Sequence, residues 1–127
     1  MQVLGHGIDL VECERVAGMQ ARHGDRFLRR ILTEGERAYV GRFQDPTQRI
    51  AGRFAAKEAV LKVLGTGWVG QIAWTDIEVL NDPAGAPSVR LTGECARLAE
   101  SRGITRVLVS ISHTPTYAAA SALGMGD

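Results

Sequence analysis

The sequence predicts a single α+β domain, a small and mainly antiparallel sheet packed against a long central helix and shorter helices. Three observations carry this. The chain's 127 residues suit one domain with one useful core. A long helical run, RIAGRFAAKEAVLKVLGTG from Arg49 to Gly67, crosses its middle. Five short stretches of strand character flank that run, and turn sequences join four of them into two antiparallel pairs.

In chain order, Val3 to Leu10 reads as a strand containing Gly5 and Gly7, and glycine inside a strand marks close approach of another backbone or a ligand. Asp9 is expected to end it, and Asp9 with Glu12 could open the next helix as a reciprocal cap. That helix, about Val11 to Arg22, breaks at Gly24. Thr33 and Glu36 form a second capping-box pattern, opening a short helix to about Phe43, and Asp45-Pro46 is a turn. The central helix should stop at Gly65, followed by the glycine-rich GTGWVG; no P-loop lysine follows, so this loop is a weak phosphate motif. Trp74–Leu80 and Pro87–Leu91 are strands around the Asn81–Gly85 turn. Thr92 opens a helix to about Arg102, which Gly103 closes. Arg106–Ser112 and Tyr117–Leu123 are the last strands, joined by the His113-Thr114-Pro115 turn. No internal repeat, low-complexity tract or linker interrupts residues 1–127.

The central helix carries two charged sets. At 100° per residue Arg49, Arg53 and Lys57 make one stripe, with Glu58 and Lys62 a quarter turn or more away. Ala51 and Ala55 beside the second set leave room for a surface or ligand, while Ile50, Phe54, Val60, Leu61, Val63 and Leu64 can bury the other faces. Glu58 and Lys62 fit either a simple i,i+4 ion pair, worth about 0.2–0.5 kcal/mol, or a chemical role.

A net charge of +1 gives no global field toward nucleic acid or membrane. The bases are lopsided, 13 of 15 being arginine and only Lys57 and Lys62 lysine, and seven arginines fall between Arg15 and Arg42. Such a run is either a solvated face or a docking surface for an acidic partner. An RNA platform fits poorly, because Phe27, Tyr39 and Phe43 are not interleaved for stacking. Cys13 and Cys95 match no metal-ligand spacing. No secretory leader and no long apolar span are read, so a reducing cytoplasmic location is expected. His113, between two hydroxyl residues at a strand end, is either a plain turn residue or a phosphate donor.

Three stretches, GHGIDLVECER (residues 5–15), GRFAAKEAVLKVLGTG (52–67) and VSISHTPTYAAA (109–120), closely resemble the holo-acyl-carrier-protein synthases, small single-domain 4′-phosphopantetheinyl transferases. The resemblance runs from Gly5 to about Ala122. It implies Mg²⁺-dependent transfer of the phosphopantetheine arm of coenzyme A to a serine of an apo acyl carrier protein, releasing adenosine 3′,5′-bisphosphate, in fatty acid biosynthesis. It implies Asp9 and Glu58 as metal ligands, with Lys62 adding positive charge at the same phosphates. Two carboxylates plus substrate phosphates satisfy what Mg²⁺ asks of a protein. By the same resemblance Arg53 and His113 grip coenzyme A phosphates, with Gly65, Thr66 and Thr114 close to that substrate. Arg15, and with less certain register Arg22 and Arg26, would dock the acidic carrier. Larger two-domain transferases have a second acid two positions after the aspartate; here that position is Val11, as in the small class, so a water would complete the metal shell. The small class also implies a homotrimer with active sites between subunits. Two other readings stand beside this one: the same chemistry on polyketide or peptide carriers, and a non-catalytic module binding coenzyme A or an acidic protein. Intact Asp9, Glu58 and Lys62 oppose the second.

Overall fold

The long helix forms because alanine, leucine and lysine favour it and no proline follows Pro46. In the computed structural model, which describes residues 1–68 and 70–127, it spans Thr47–Leu64. Before it come β1 (Gln2–Glu12), α1 (Cys13–His23), α2 (Asp25–Ile31) and α3 (Glu34–Val40), so the long helix is α4. After it come β2 (Ile77–Asn81), β3 (Pro87–Leu91), α5 (Gly93–Ser101), β4 (Arg106–His113) and β5 (Tyr117–Gly126). Gly65 closes α4 at φ 73°, a left-handed cap that an L side chain rarely adopts. Thirteen of the 18 residues of α4 are buried, so it is a core helix covered on most faces rather than a surface helix with one wet side.

The main sheet, in the order β1-β5-β4, is antiparallel throughout and lies against α4. Its closest approach is made by glycines. A Cβ at Gly5 would come within 2.7 Å of the Val63 carbonyl, and one at Gly7 would collide with the Ala59 carbonyl. On the other side of the helix stripe, a Cβ at Gly52 would sit 2.9 Å from Ile111 of β4. The expected close approach at Gly5 and Gly7 is therefore to the helix backbone. Ala51 and Ala55, expected to leave room for a ligand, are fully buried: their small size lets the core close over them.

β2 and β3 form a separate two-stranded sheet, so the strands make two sheets instead of one. β1 runs past Asp9 to Glu12, because β5 continues to pair with it as far as Tyr117. The Asp9–Glu12 cap is accordingly absent. Asp9 lies opposite Ala120 within the sheet, Glu12 caps α1 with no side-chain hydrogen bond, and the Cys13 N–H goes to the Thr116 carbonyl at 2.8 Å. The Thr33–Glu36 box is present as expected, both reciprocal bonds made, although its helix ends at Val40. Residues after Gly24 form a further short helix, α2, and Trp74–Asp76 is a 3₁₀ turn ahead of β2. Val69 of the expected GTGWVG loop lies outside the described residues.

Candidate active site

Strand and helix periods explain how Asp9 meets α4. Two residues of strand advance about 6.6 Å and four residues of helix about 6 Å. Gly5 lies against Val63 and Gly7 against Ala59, so the next residue on that face of β1, Asp9, arrives one helical turn further on. It is the first of the three with a side chain. The Lys62 ammonium donates to the Ile8 carbonyl at 2.6 Å and stands 3.5 Å from Asp9 Oδ1. Both groups keep contact with solvent, at 53% and 21% side-chain exposure, so the pair is available to a ligand instead of locked in the core. Glu58, one turn before Lys62, is half-buried and accepts a hydrogen bond from Trp68 Nε1 at 3.0 Å. Trp68 stacks on Trp74, ring centroids 3.8 Å apart, and Trp74 packs against Phe54.

Glu58 faces a cavity of about 580 Å³. Phe54, Trp68 and Trp74 line it on the α4 side, and Arg15, Arg26 and Arg30 on the other. Arg15 also lies over the Phe54 ring. The structure thus brings two of the three expected docking arginines, Arg15 and Arg26, to one cavity with Glu58. Arg22 is exposed on α1 outside that lining.

At the opposite end of α4, His113 Nδ1 is 2.7 Å from Gln48 Oε1. Burial, and secondarily Arg49, hold its pKa below the ordinary histidine value. His113, Arg49, Arg53 and Asn81 line a small cavity of about 150 Å³. Arg53 is itself buried, with Nη2 on Asn81 Oδ1 at 2.6 Å, its guanidinium over the Tyr39 ring, and Nε without a hydrogen bond. Thr114 Oγ1 accepts from the N–H groups of Thr116 and Tyr117, tightening the β4–β5 turn. Gly65 and Thr66 lie beyond the other end of α4, where the Arg102 guanidinium occupies the space a Cβ on Gly65 would need. Along the helix axis Gln48 and Gly65 are about 25 Å apart, so one copy of the chain does not gather all the expected coenzyme A residues at one place.

The residue next to Glu58 has the opposite environment. Lys57 is fully buried, donating at 2.6 Å to the Ile31 carbonyl and to Glu36 Oε1, and at 3.2 Å to the Trp74 carbonyl. Burial pushes its pKa down, and Glu36 opposes that. Glu36 also accepts from the N–H groups of Thr33 and Val79. Sequence reasoning did not single out Glu36 as a charge partner. Its only signal was a capping-box glutamate in a chain with a basic stripe elsewhere. Trp68 and Arg102 were missed too, since neither an indole donor nor a long guanidinium announces its target in sequence.

Glu58 on an arginine-lined cavity, with the solvent-accessible Asp9–Lys62 pair one helical turn along α4, suits a reaction at phosphate next to a protein surface. The chain matches the 4′-phosphopantetheinyl transferase superfamily over residues 5–120. It is 45% identical over 123 residues to the holo-acyl-carrier-protein synthase of Solibacter usitatus, spanning 97% of this chain and 94% of that one. The crystal structure of the Neisseria meningitidis holo-acyl-carrier-protein synthase is similar at TM-score 0.88 and 31% identity, covering 98% of this chain and 99% of that one. The Bacillus anthracis synthase in complex with coenzyme A (3′,5′-ADP) is similar at TM-score 0.82 and 35% identity, over 100% of both chains. The chain belongs to the 4′-phosphopantetheinyl transferase superfamily. It is a transferase of the small kind.

Proposed function

We propose that this chain moves the 4′-phosphopantetheine arm of coenzyme A onto a serine of an apo acyl carrier protein. The observation that carries the reading is Glu58 on the wall of a cavity lined by Arg15 and Arg26, one helical turn before the Lys62 that pairs with Asp9. The serine hydroxyl attacks the phosphorus bearing the pantetheine arm. The bond from that phosphorus to the bisphosphate breaks, and adenosine 3′,5′-bisphosphate leaves. Glu58 lines the carrier-facing cavity and is the carboxylate disposed to take the serine proton. Lys62 sets a positive charge beside Asp9, where the pyrophosphate would lie.

The donor set fits Mg²⁺. Among the described residues no three His, Cys, Asp or Glu groups cluster, and a metal that keeps its waters and binds substrate phosphates needs only one or two carboxylates. Asp9 and Glu58 would hold it, and when bound it would neutralise charge developing on the leaving bisphosphate. Arg53 and His113 are assigned to coenzyme A phosphates at the other end of α4, with Gly65, Thr66 and Thr114 near that substrate. The span of about 25 Å along α4 between Gln48, which holds His113, and Gly65 favours a site shared between copies. The exposed apolar residues Ile8, Leu10, Leu108 and Tyr117 on the main sheet fit the same reading, a homotrimer. Arg15, Arg22 and Arg26 are assigned to the acidic carrier, of fatty acid biosynthesis first and of polyketide or peptide assembly second. No helix among the described residues is long and apolar enough to cross a membrane. The free thiols of Cys13 and Cys95 accord with a reducing, cytoplasmic setting.

The test is intact-mass spectrometry of an apo carrier incubated with the protein, coenzyme A and Mg²⁺, with a chelator control. A gain of one phosphopantetheine arm, abolished by chelation, is expected. No gain on any of several apo carriers would overturn the reading.

A further inference from the structure

Trp68 reaches Glu58 from ten residues further along the chain, on the loop that leaves α4 at Gly65. Its Nε1–H supplies the one hydrogen bond that the Glu58 carboxylate receives among the described residues. The indole is anchored from behind. Trp74 stacks on it at 3.8 Å and 24°, Phe54 backs Trp74, and the buried Lys57 ammonium holds the Trp74 carbonyl at 3.2 Å. The loop is thus pinned to the helix at the residue before Glu58 and at Glu58 itself.

We propose that Trp68 is a positioning residue, its indole N–H fixing Glu58 Oε1 so that the carboxylate is presented to a divalent cation in one orientation. This rests on the metal reading above. An indole nitrogen donates and cannot accept, so Trp68 can neither ligate a metal nor take a proton from Glu58. What it can do is satisfy one carboxylate oxygen and leave the acceptor capacity of the other. A merely space-filling ring would line the cavity equally well without the N–H.

Trp68→Phe separates the two roles, because it keeps a ring to stack on Trp74 and removes the donor. Binding of Mn²⁺ is measured by electron paramagnetic resonance of the free ion, with coenzyme A present and no carrier, against coenzyme A alone. The expected result is a dissociation constant raised about tenfold, the usual scale for loss of a hydrogen bond behind a metal ligand. Unchanged Mn²⁺ affinity in a folded Trp68→Phe variant overturns the proposal. A wild-type protein that adds nothing to the Mn²⁺ bound by coenzyme A alone overturns the metal reading, and this proposal with it; wild type and variant then fail alike. Should Trp68→Phe not fold, nuclear magnetic resonance of the chain's two indole N–H signals decides. In Glu58→Ala one signal is expected to move to the position of a solvent-bonded indole. Two unmoved signals overturn the contact.

Discussion

Lys57 and Glu58 are neighbours on one helix and face opposite surroundings. Around Lys57 and Glu36 the charges are sealed from water, and each turns inward to carbonyls, N–H groups or the other. Glu58 and the Asp9–Lys62 pair are partly exposed, and among the described residues few of their bonding positions are filled. The difference teaches how to tell structural charge from chemical charge. A buried cluster costs desolvation and is tolerable only when fully partnered. A carboxylate held by one hydrogen bond at a cavity wall keeps capacity for a ligand. The two also touch: Lys57 holds Trp74, which backs the Trp68 ring that donates to Glu58.

Breaking the sealed cluster should have the largest effect. Lys57→Met takes from the buried Glu36 carboxylate its one hydrogen-bonded cation among the described residues and is expected to destabilise the fold by about 3–5 kcal/mol, read by urea denaturation. Adding Glu36→Gln should recover part of that loss. No recovery would mean that Lys57 acts mainly by packing. At Glu58 the loss should be catalytic. Glu58→Gln keeps size and removes charge, and kcat/KM for arm transfer should fall about 10²–10³-fold, a loss of several kcal/mol. Its melting temperature should stay within a few degrees of wild type. Near-normal turnover of that variant at ordinary Mg²⁺ would falsify the metal assignment.

Smaller effects sharpen the contrast. Arg15→Glu, on the cavity wall facing Glu58, should raise the carrier's KM about tenfold, the cost of one unfavourable contact of some 1.4 kcal/mol. The KM for coenzyme A should hold, and parallel changes in both would make Arg15 structural. The smallest effect concerns the rim of the sealed cluster. Thr33 Oγ1 donates to Glu78 and, with Arg90, holds that carboxyl below the ordinary glutamate value despite burial. A depressed carboxylate contributes stability that is fully present above its unfolded pKa and lost as pH falls through the folded one. Stability should therefore decline on acidification below about pH 4.5, and Glu78→Gln should flatten that part of the profile.

Much of this was legible in the chain itself. The order of the five strands and of α1, α3, α4 and α5, the stop at Gly65, the Thr33–Glu36 box and the turns at Asn81–Gly85 and after His113 are local events, set by dihedral preference and side-chain bonds a few residues long. The motifs carrying Asp9 and Glu58 were legible too, because reactive groups of fixed type at fixed spacing are a sequence property. Strand ends were less so. β1 outran Asp9 because β5, more than a hundred residues away, kept supplying hydrogen-bond partners.

What tertiary structure alone decided was partnership. Helical spacing puts Arg53 and Lys57 on one stripe, and says nothing of Glu36 arriving from α3 to bury them. The sequence marks Gly5 and Gly7 as points of close approach; only the packed chain makes the approaching surface α4, and so brings Asp9 to Lys62. Trp68 closing on Glu58 belongs to the same class. The physical reason is common to all three. Propensities and caps act within a turn or two of the backbone, whereas burial, desolvation and long-range ion pairing depend on which distant surfaces exclude water together.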